Sequence, residues 1–257
     1  HNGEAMKSGR IEHLDVAPHE TKIYTLDYGA TCQHCEWLLN ISYKLKNREG
    51  LLPAGHVVAK DQLTVNPYQA KALTIKNKEM NNAAVVEPVL KDNDGNYLIV
   101  EGDNFTAEFN RHNGYLIRYA AHGQEMIEEG AALTPNFWRA PTDNDMGANL
   151  QVKYASWKNP DIRLTSFKAQ RENGLIVIRA DYDMAKVSAK LALTYVINNA
   201  GQIKVTQKMT ADKSADVSDF FRFGMQLAMP VNFETIEYYG RGPIENYSDR
   251  HYNTDLG

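Results

Sequence analysis

Apolar residues recur at every second position through long stretches of this chain of 257 residues. That period belongs to strands with one face buried and one face wet, because successive side chains of a strand point to opposite faces. In "EWLLNISYKLK" (36–46), Trp37, Leu39, Ile41, Tyr43 and Leu45 fall on one face, and Asn40, Ser42, Lys44 and Lys46 on the other. "VSAKLALTYVI" (187–197) alternates Val187, Ala189, Leu191, Leu193, Tyr195 and Ile197 against Ser188, Lys190 and Thr194. "QIKVTQKM" follows after "NNAG", so 187–209 reads as a long hairpin. "NFTAEFN" and "YLIRYA" flank "RHNG" (111–114) in the same way, with Asn113-Gly114 as the turn signal. Further strands are expected at 21–26, 57–65, 97–101, 161–169, 174–182, 219–229 and 235–239.

No segment carries a convincing helical period. "NPYQAKALTIKNKEMNNAA" (66–84) is too polar and reads as a linker with one strand, "ALTI" (72–75). The expectation is an all-β chain: a truncated β-sandwich over 1–66, a linker at 67–90, and a large antiparallel sandwich over 91–257. The first part offers fewer strands than the ~7 of an immunoglobulin-like sandwich. The chain opens on what reads as a hairpin already under way and stops at "HYNTDLG" with no closing strand, so a piece of a longer protein is expected. The formal charge of −4 comes with no basic stripe, which argues against a nucleic-acid partner. No apolar run approaches the ~18 residues of a membrane-spanning helix, and "HNGEAMKSGR" lacks a signal-peptide core.

Two polar stretches stand out, "WRAPTDNDMG" (138–147) and "YGRGPIENYSDR" (239–250). Glycoside hydrolysis needs two carboxyl groups ~5–10 Å apart across a sugar, and Asp143 or Asp145 with Glu245 or Asp249 would be the candidates. Asp beside Asn and Gly is more often an Asx-turn, and Arg241 and Arg250 suit simple neutralisation of nearby acids. Cys32 and Cys35 share the spacing of half a zinc site, but a structural site takes four ligands and no second pair is present. They read as a loop entering a strand. "DNDGN" (92–96) and the 143–147 stretch hint at calcium, but neither has glycine at the sixth position and glutamate at the twelfth. The first reads as a hairpin turn. The sequons at Asn40, Asn104 and Asn246 are taken as chance.

"RAPTDNDMG" and "GRGPIENYSDR" resemble the two signature stretches of the small-chain region that closes the β-galactosidases of glycoside hydrolase family 2. The stretch between them, about a hundred residues of alternating strand, also fits that family. Upstream, "SGRIEHLDVAPHET" and "AGHVVAKDQLTV" resemble the immunoglobulin-like domain that precedes this region, and "FTAEFNRHNGYLIRYAAHGQEMI" resembles the opening strands of the small-chain domain.

The resemblance implies a supersandwich, galactose-mutarotase-like, behind a partial immunoglobulin-like domain. It also implies that the catalytic glutamates and magnesium ligands lie in a preceding (β/α)₈ barrel, so no cofactor is expected in this chain. A substrate-adjacent loop is expected at Asp143, Asn144, Asp145, Gly147 and Asn149. The aspartates and Asn144 would form a rigid base for a mobile segment, Gly147 to Gln151, whose sequence departs from the family's after the glycine. Arg139, Gly242, Pro243, Glu245, Asn246, Asp249 and Arg250 are expected to be architectural. None of Trp37, Trp138 or Trp157 is expected to stack against the sugar. The implied partners are the remainder of the parent enzyme, a galactoside and further subunits, in a bacterial cytoplasm or periplasm. A free-standing carbohydrate-binding module is the rival reading, since the chain has 14 tyrosines for sugar stacking. An epimerase would need one of His112, His122 or His251 beside a carboxylate.

Overall fold

The computed structural model describes residues 3–27, 29, 35–69, 74–77, 87–247 and 250–257. In chain order the strands are β1 (Trp37–Lys44), β2 (Val57–Asn66), β3 (Val89–Asn93), β4 (Tyr97–Glu101), β5 (Phe105–Asn110), β6 (Leu116–Ala121), β7 (Gln124–Glu125) and β8 (Thr134–Asn136). They continue as β9 (Ile162–Glu172), β10 (Leu175–Met184), β11 (Ala189–Ile197), β12 (Ile203–Ala211), β13 (Gly224–Gln226), β14 (Arg241–Gly242) and β15 (Asp255–Leu256). Two short helices, α1 (Asp143–Gly147) and α2 (Leu150–Lys153), lie between β8 and β9. The chain is thus all-β and antiparallel, as the alternation demands.

Two compact units are present, one of residues 1–72 with 235–257 and one of 73–234. In the second, a five-stranded sheet (β3-β4-β5-β6-β7) and a four-stranded sheet (β12-β11-β10-β9) form a sandwich. The alternation in β10 and β11 puts Ile176, Ile178, Ala180, Tyr182 and Leu191, Leu193, Tyr195, Ile197 inside, against Leu98, Val100, Phe105, Ala107, Phe109 and Leu116 of the facing sheet. Each such fully buried aliphatic side chain contributes about 1.5–3 kcal/mol relative to exposure. Phe109 meets Tyr195 edge-on at 5.0 Å, and Tyr115 stacks on Tyr182 at 5.7 Å.

The turns follow the residues that specify them. At "DNDGN", Asp94 (φ 52) and Gly95 (φ 70) take left-handed angles between β3 and β4, and Asp92 Oδ1 accepts from Gly95 N at 2.9 Å. At "NNAG", buried Asn198 ties the β11–β12 turn. Its Oδ1 accepts from Ala200 N and Gln202 N, and its Nδ2 donates to Lys76 O and Gln202 Oε1.

In the first unit β1 pairs with β2, and the Gln62 amide continues that pattern onto β15. Its Nε2 donates to Leu256 O at 2.9 Å and its Oε1 accepts from Leu256 N at 2.8 Å. Tyr239 donates to buried Glu36 at 2.6 Å, and burial together with that carboxylate pushes the tyrosine up to about 12.

Several local expectations differ from the structure. Residues 21–26 and 235–239 are irregular, and 219–229 is strand only at β13, which pairs with β8. Alternation makes a chain extended, but a strand also needs a neighbour to bond. Val187 closes a 3-10 turn, Ala185–Val187, and the strand starts at Ala189 after Ser188 with φ 46. The strand expected at 72–75 is absent at Thr74 and Ile75, and its first half lies outside the described residues.

Candidate functional site

The stretch read as an Asp-Asn-Asp turn is the first turn of α1. Thr142 is its N-cap, in extended conformation, and accepts from Asp145 N at 3.3 Å through Oγ1. Asp145 answers by accepting from Thr142 N at 2.7 Å. This reciprocal capping box satisfies two of the backbone donors that a helix N-terminus leaves open. The carboxylates of Asp143 and Asp145 also sit at the positive end of the helix.

Arg139 completes the arrangement. Its Nη1 and Nη2 donate to Asp145 Oδ2 and Oδ1 at 2.5 and 3.2 Å, and Nη1 also donates to Ala140 O at 3.0 Å. The Arg139 guanidinium, then the Thr142 amide, hold the Asp145 carboxyl down to about 2, well below its ordinary value. A buried carboxylate held there stays ionised near neutral pH and has no proton to give to a leaving group. Asp145 is a structural clamp. Asp143 and Asn144 remain exposed on the outer side of the helix.

Gly147 ends α1 with its φ outside the left-handed region, and a Cβ added to it would meet nothing within 4 Å. The residue that does use left-handed angles here is Asn149, at φ 58, which precedes α2. Met146 and Val152 are exposed on the two helices, at 50% and 62%.

An aromatic layer carries this pair of helices. Trp157 is buried and donates through Nε1 to Ser218 O at 2.9 Å. Phe137 packs on Trp157 and Phe220. Trp138 meets Phe221 edge-on at 4.8 Å and has the Lys158 ammonium 5.9 Å from its ring centre. Trp157, being buried, offers no open face to a sugar. Thr142, Tyr154, Phe220 and Phe221 carry this site unrecognised by the sequence reading. The Thr-x-x-Asp capping signature at 142–145 was legible; the aromatic contacts were not.

The second signature stretch turns its polar groups on itself and on residues 251–254. Arg241 Nη1 donates to Thr254 O at 2.9 Å and His251 O at 3.3 Å. Asn246 Oδ1 receives Thr254 Oγ1 at 3.2 Å and lies 3.0 Å from His251 Nδ1. Arg250 pairs with Glu245 at 3.5 Å, and the Gly242–Pro243 peptide is cis. Asp249 lies outside the described residues. Glu245 and the 143–145 carboxylates belong to different units.

Cys35 is disulfide-bonded, so it presents no thiolate; Cys32 lies outside the described residues. Among the described residues no three His, Cys, Asp or Glu side chains come together to hold a metal. Among them, too, no helix is long and apolar enough to cross a membrane. His112 and His122 flank the two ends of β6, which puts them roughly 20 Å apart at strand rise. His112 bonds Asn96 at 2.9 Å, so its nearest polar partner is an amide.

Residues 101–257 match the family described as the β-galactosidase small chain, and residues 1–66 match β-galactosidase domain 4. The β-galactosidase of Priestia megaterium is 30% identical over 254 residues, covering 97% of this chain and 23% of the relative. That of Streptococcus thermophilus is 26% identical over 242 residues, covering 93% and 22%. That of Lactobacillus delbrueckii subsp. bulgaricus is 31% identical over 173 residues, covering 66% and 17%. The chain therefore spans less than a quarter of the length of these relatives.

Proposed function

This chain belongs to the β-galactosidase small-chain family, and on that premise we propose that it is the non-catalytic C-terminal portion of a retaining β-galactosidase of glycoside hydrolase family 2. The parent enzyme hydrolyses terminal β-D-galactosides through a covalent glycosyl-enzyme, using two carboxyl groups about 5–5.5 Å apart. Those groups and the magnesium ligands belong to the (β/α)₈ barrel that the family resemblance puts ahead of this region. Residues 1–66 then form part of an immunoglobulin-like sandwich, and the small-chain domain follows a linker that ends before β3 at Val89. Within it, Asp143 to Asn149 make a wall of the galactoside site, and other surfaces supply subunit contacts.

The observation that carries this reading is the use of Asp145. The first signature stretch puts its buried carboxylate into a capping box and a bidentate arginine clamp. That leaves a rigid helix start with Asp143 and Asn144 exposed, which suits a wall and not a proton donor. The test is turnover of a chromogenic β-galactoside by the purified chain and by the intact parent. The expected result is hydrolysis by the parent alone. Turnover by the chain itself, abolished in Asp143→Asn or Glu245→Gln, overturns the reading. Saturable binding of galactose by the isolated chain would favour a carbohydrate-binding module instead.

A further inference from the structure

We propose that Phe221 is a positioning residue that sets the orientation of α1, and with it the exposed Asp143 and Asn144. This rests on the reading of that helix as part of the galactoside-site wall. The Asp145 carboxylate takes the edge of the Arg139 guanidinium. The Cζ of that cation lies over the Phe221 ring, 4.7 Å from its centre. A guanidinium bound at its edge keeps its face free for an aromatic partner, so both contacts act on Arg139 together.

Phe221 touches the helical segment at two further points. Its ring meets Trp138, immediately before Arg139, at 4.8 Å and 77°. It also meets Tyr154, the residue that ends α2, at 5.1 Å and 67°. One side chain from the far side of β12 therefore grips the segment before α1, at the α1 clamp and after α2. Its neighbour Phe220 packs on the buried Trp157 at 4.8 Å, against the core. The chain bends at Phe221, and the two rings part there: Phe220 anchors the segment on Phe137 and Trp157 while Phe221 serves the helices.

The experiment uses the intact parent enzyme with Phe221→Leu, Phe221→Tyr and Arg139→Lys, and with residues 148–152 replaced by a Gly/Ser sequence of equal length. Leucine keeps an apolar group at 221 but removes the ring face; tyrosine keeps the face. The measurements are kcat and KM for a chromogenic β-galactoside and the unfolding midpoint. Loss of folded enzyme lowers apparent kcat and leaves KM unchanged, whereas a displaced wall shifts KM. The expected result is at least a threefold change in KM for Phe221→Leu and Arg139→Lys. Tyrosine at 221 should restore KM to within twofold. The Phe221→Leu/Arg139→Lys double variant should lose less than the two singles combined, because they share one contact.

Phe221→Leu with wild-type KM, or Leu and Tyr variants that behave alike, overturns the inference. If the 148–152 replacement alters KM in that case, only the role of Phe221 falls. If that replacement also leaves kcat and KM unchanged, the wall reading falls with it. Should Phe221→Leu fail to fold, Arg139→Lys with wild-type KM overturns the inference by itself.

Discussion

Gly147→Ala separates the two roles a glycine can have at the end of α1. Its backbone lies outside the left-handed region and its Cβ position is open, so alanine fits the described conformation without strain. The following residue, Ala148, already closes the helix by donating to Asn144 O and Met146 O. An alanine at a compatible glycine position stabilises by about 0.4–1 kcal/mol, chiefly by restricting the unfolded chain. For a unit of this size unfolding by itself that is a rise of roughly 1–4 °C in midpoint, and a smaller rise where more of the longer parent unfolds with it.

If Gly147 also hinges the loop into left-handed angles during the catalytic cycle, alanine penalises that second state by about 1–2 kcal/mol. The gain from restricting the unfolded chain is common to both loop states, so the loop equilibrium shifts by that penalty of about 1–2 kcal/mol alone, or on the order of 5- to 30-fold. A hinge therefore predicts opposite signs: a higher midpoint with impaired turnover and altered inhibitor affinity. The assay is calorimetry and steady-state kinetics on the intact parent, with one substrate-like and one transition-state-like inhibitor. A lower midpoint would refute the helical, open setting of Gly147. A higher midpoint with kcat, KM and both affinities within twofold of wild type would remove the hinge.

Gly114→Ala should behave in the opposite way. Gly114 has φ +73, and an added Cβ overlaps the Tyr182 hydroxyl and lies 2.9 Å from Ala180 Cβ. Left-handed strain and overpacking together cost about 2–5 kcal/mol, so denaturant unfolding should show a large loss, and a loss below ~1 kcal/mol would contradict the packing. Thr142→Ala removes one half of the capping box and should cost about 0.5–2 kcal/mol, while Thr142→Ser should cost much less; equal losses would mean the hydroxyl is not the cap. Asp145 and Glu172 both have folded values near 2, set first by hydrogen bonds from Arg139 and Arg179 respectively, below ordinary values of 3.8 and 4.5. Both are depressed, so their stabilisation is complete above the ordinary values and is lost as pH falls through about 4 towards about 2. Acid titration of unfolding should show Asp145→Asn with a shallower slope in that window, and an unchanged slope would place the proton uptake elsewhere.

Local chemistry made most of the sandwich legible. In β10 and β11 each inward residue is two positions from the next, and a strand has that period whatever it pairs with. "DNDGN" and "NNAG" specify turns because Asp, Asn and Gly tolerate left-handed angles or bond their own backbone. The family signatures were also visible as strings of residue types, and the matches over 1–66 and 101–257 agree with them.

Position in space decided the rest. Residues 21–26 and 235–239 alternate as β9 to β12 do, yet remain irregular, because alternation says nothing about whether a neighbour is present to bond. Five residues cannot show a helical period, so α1 depends on Thr142, Asp145 and Arg139 meeting, which is a matter of geometry. Nothing in the dipeptide Phe220-Phe221 says that one ring packs against the core and the other grips Arg139. That follows from the path of the chain after β12, which bends at Phe221 so that Phe220 packs on Trp157 and Phe221 meets Arg139.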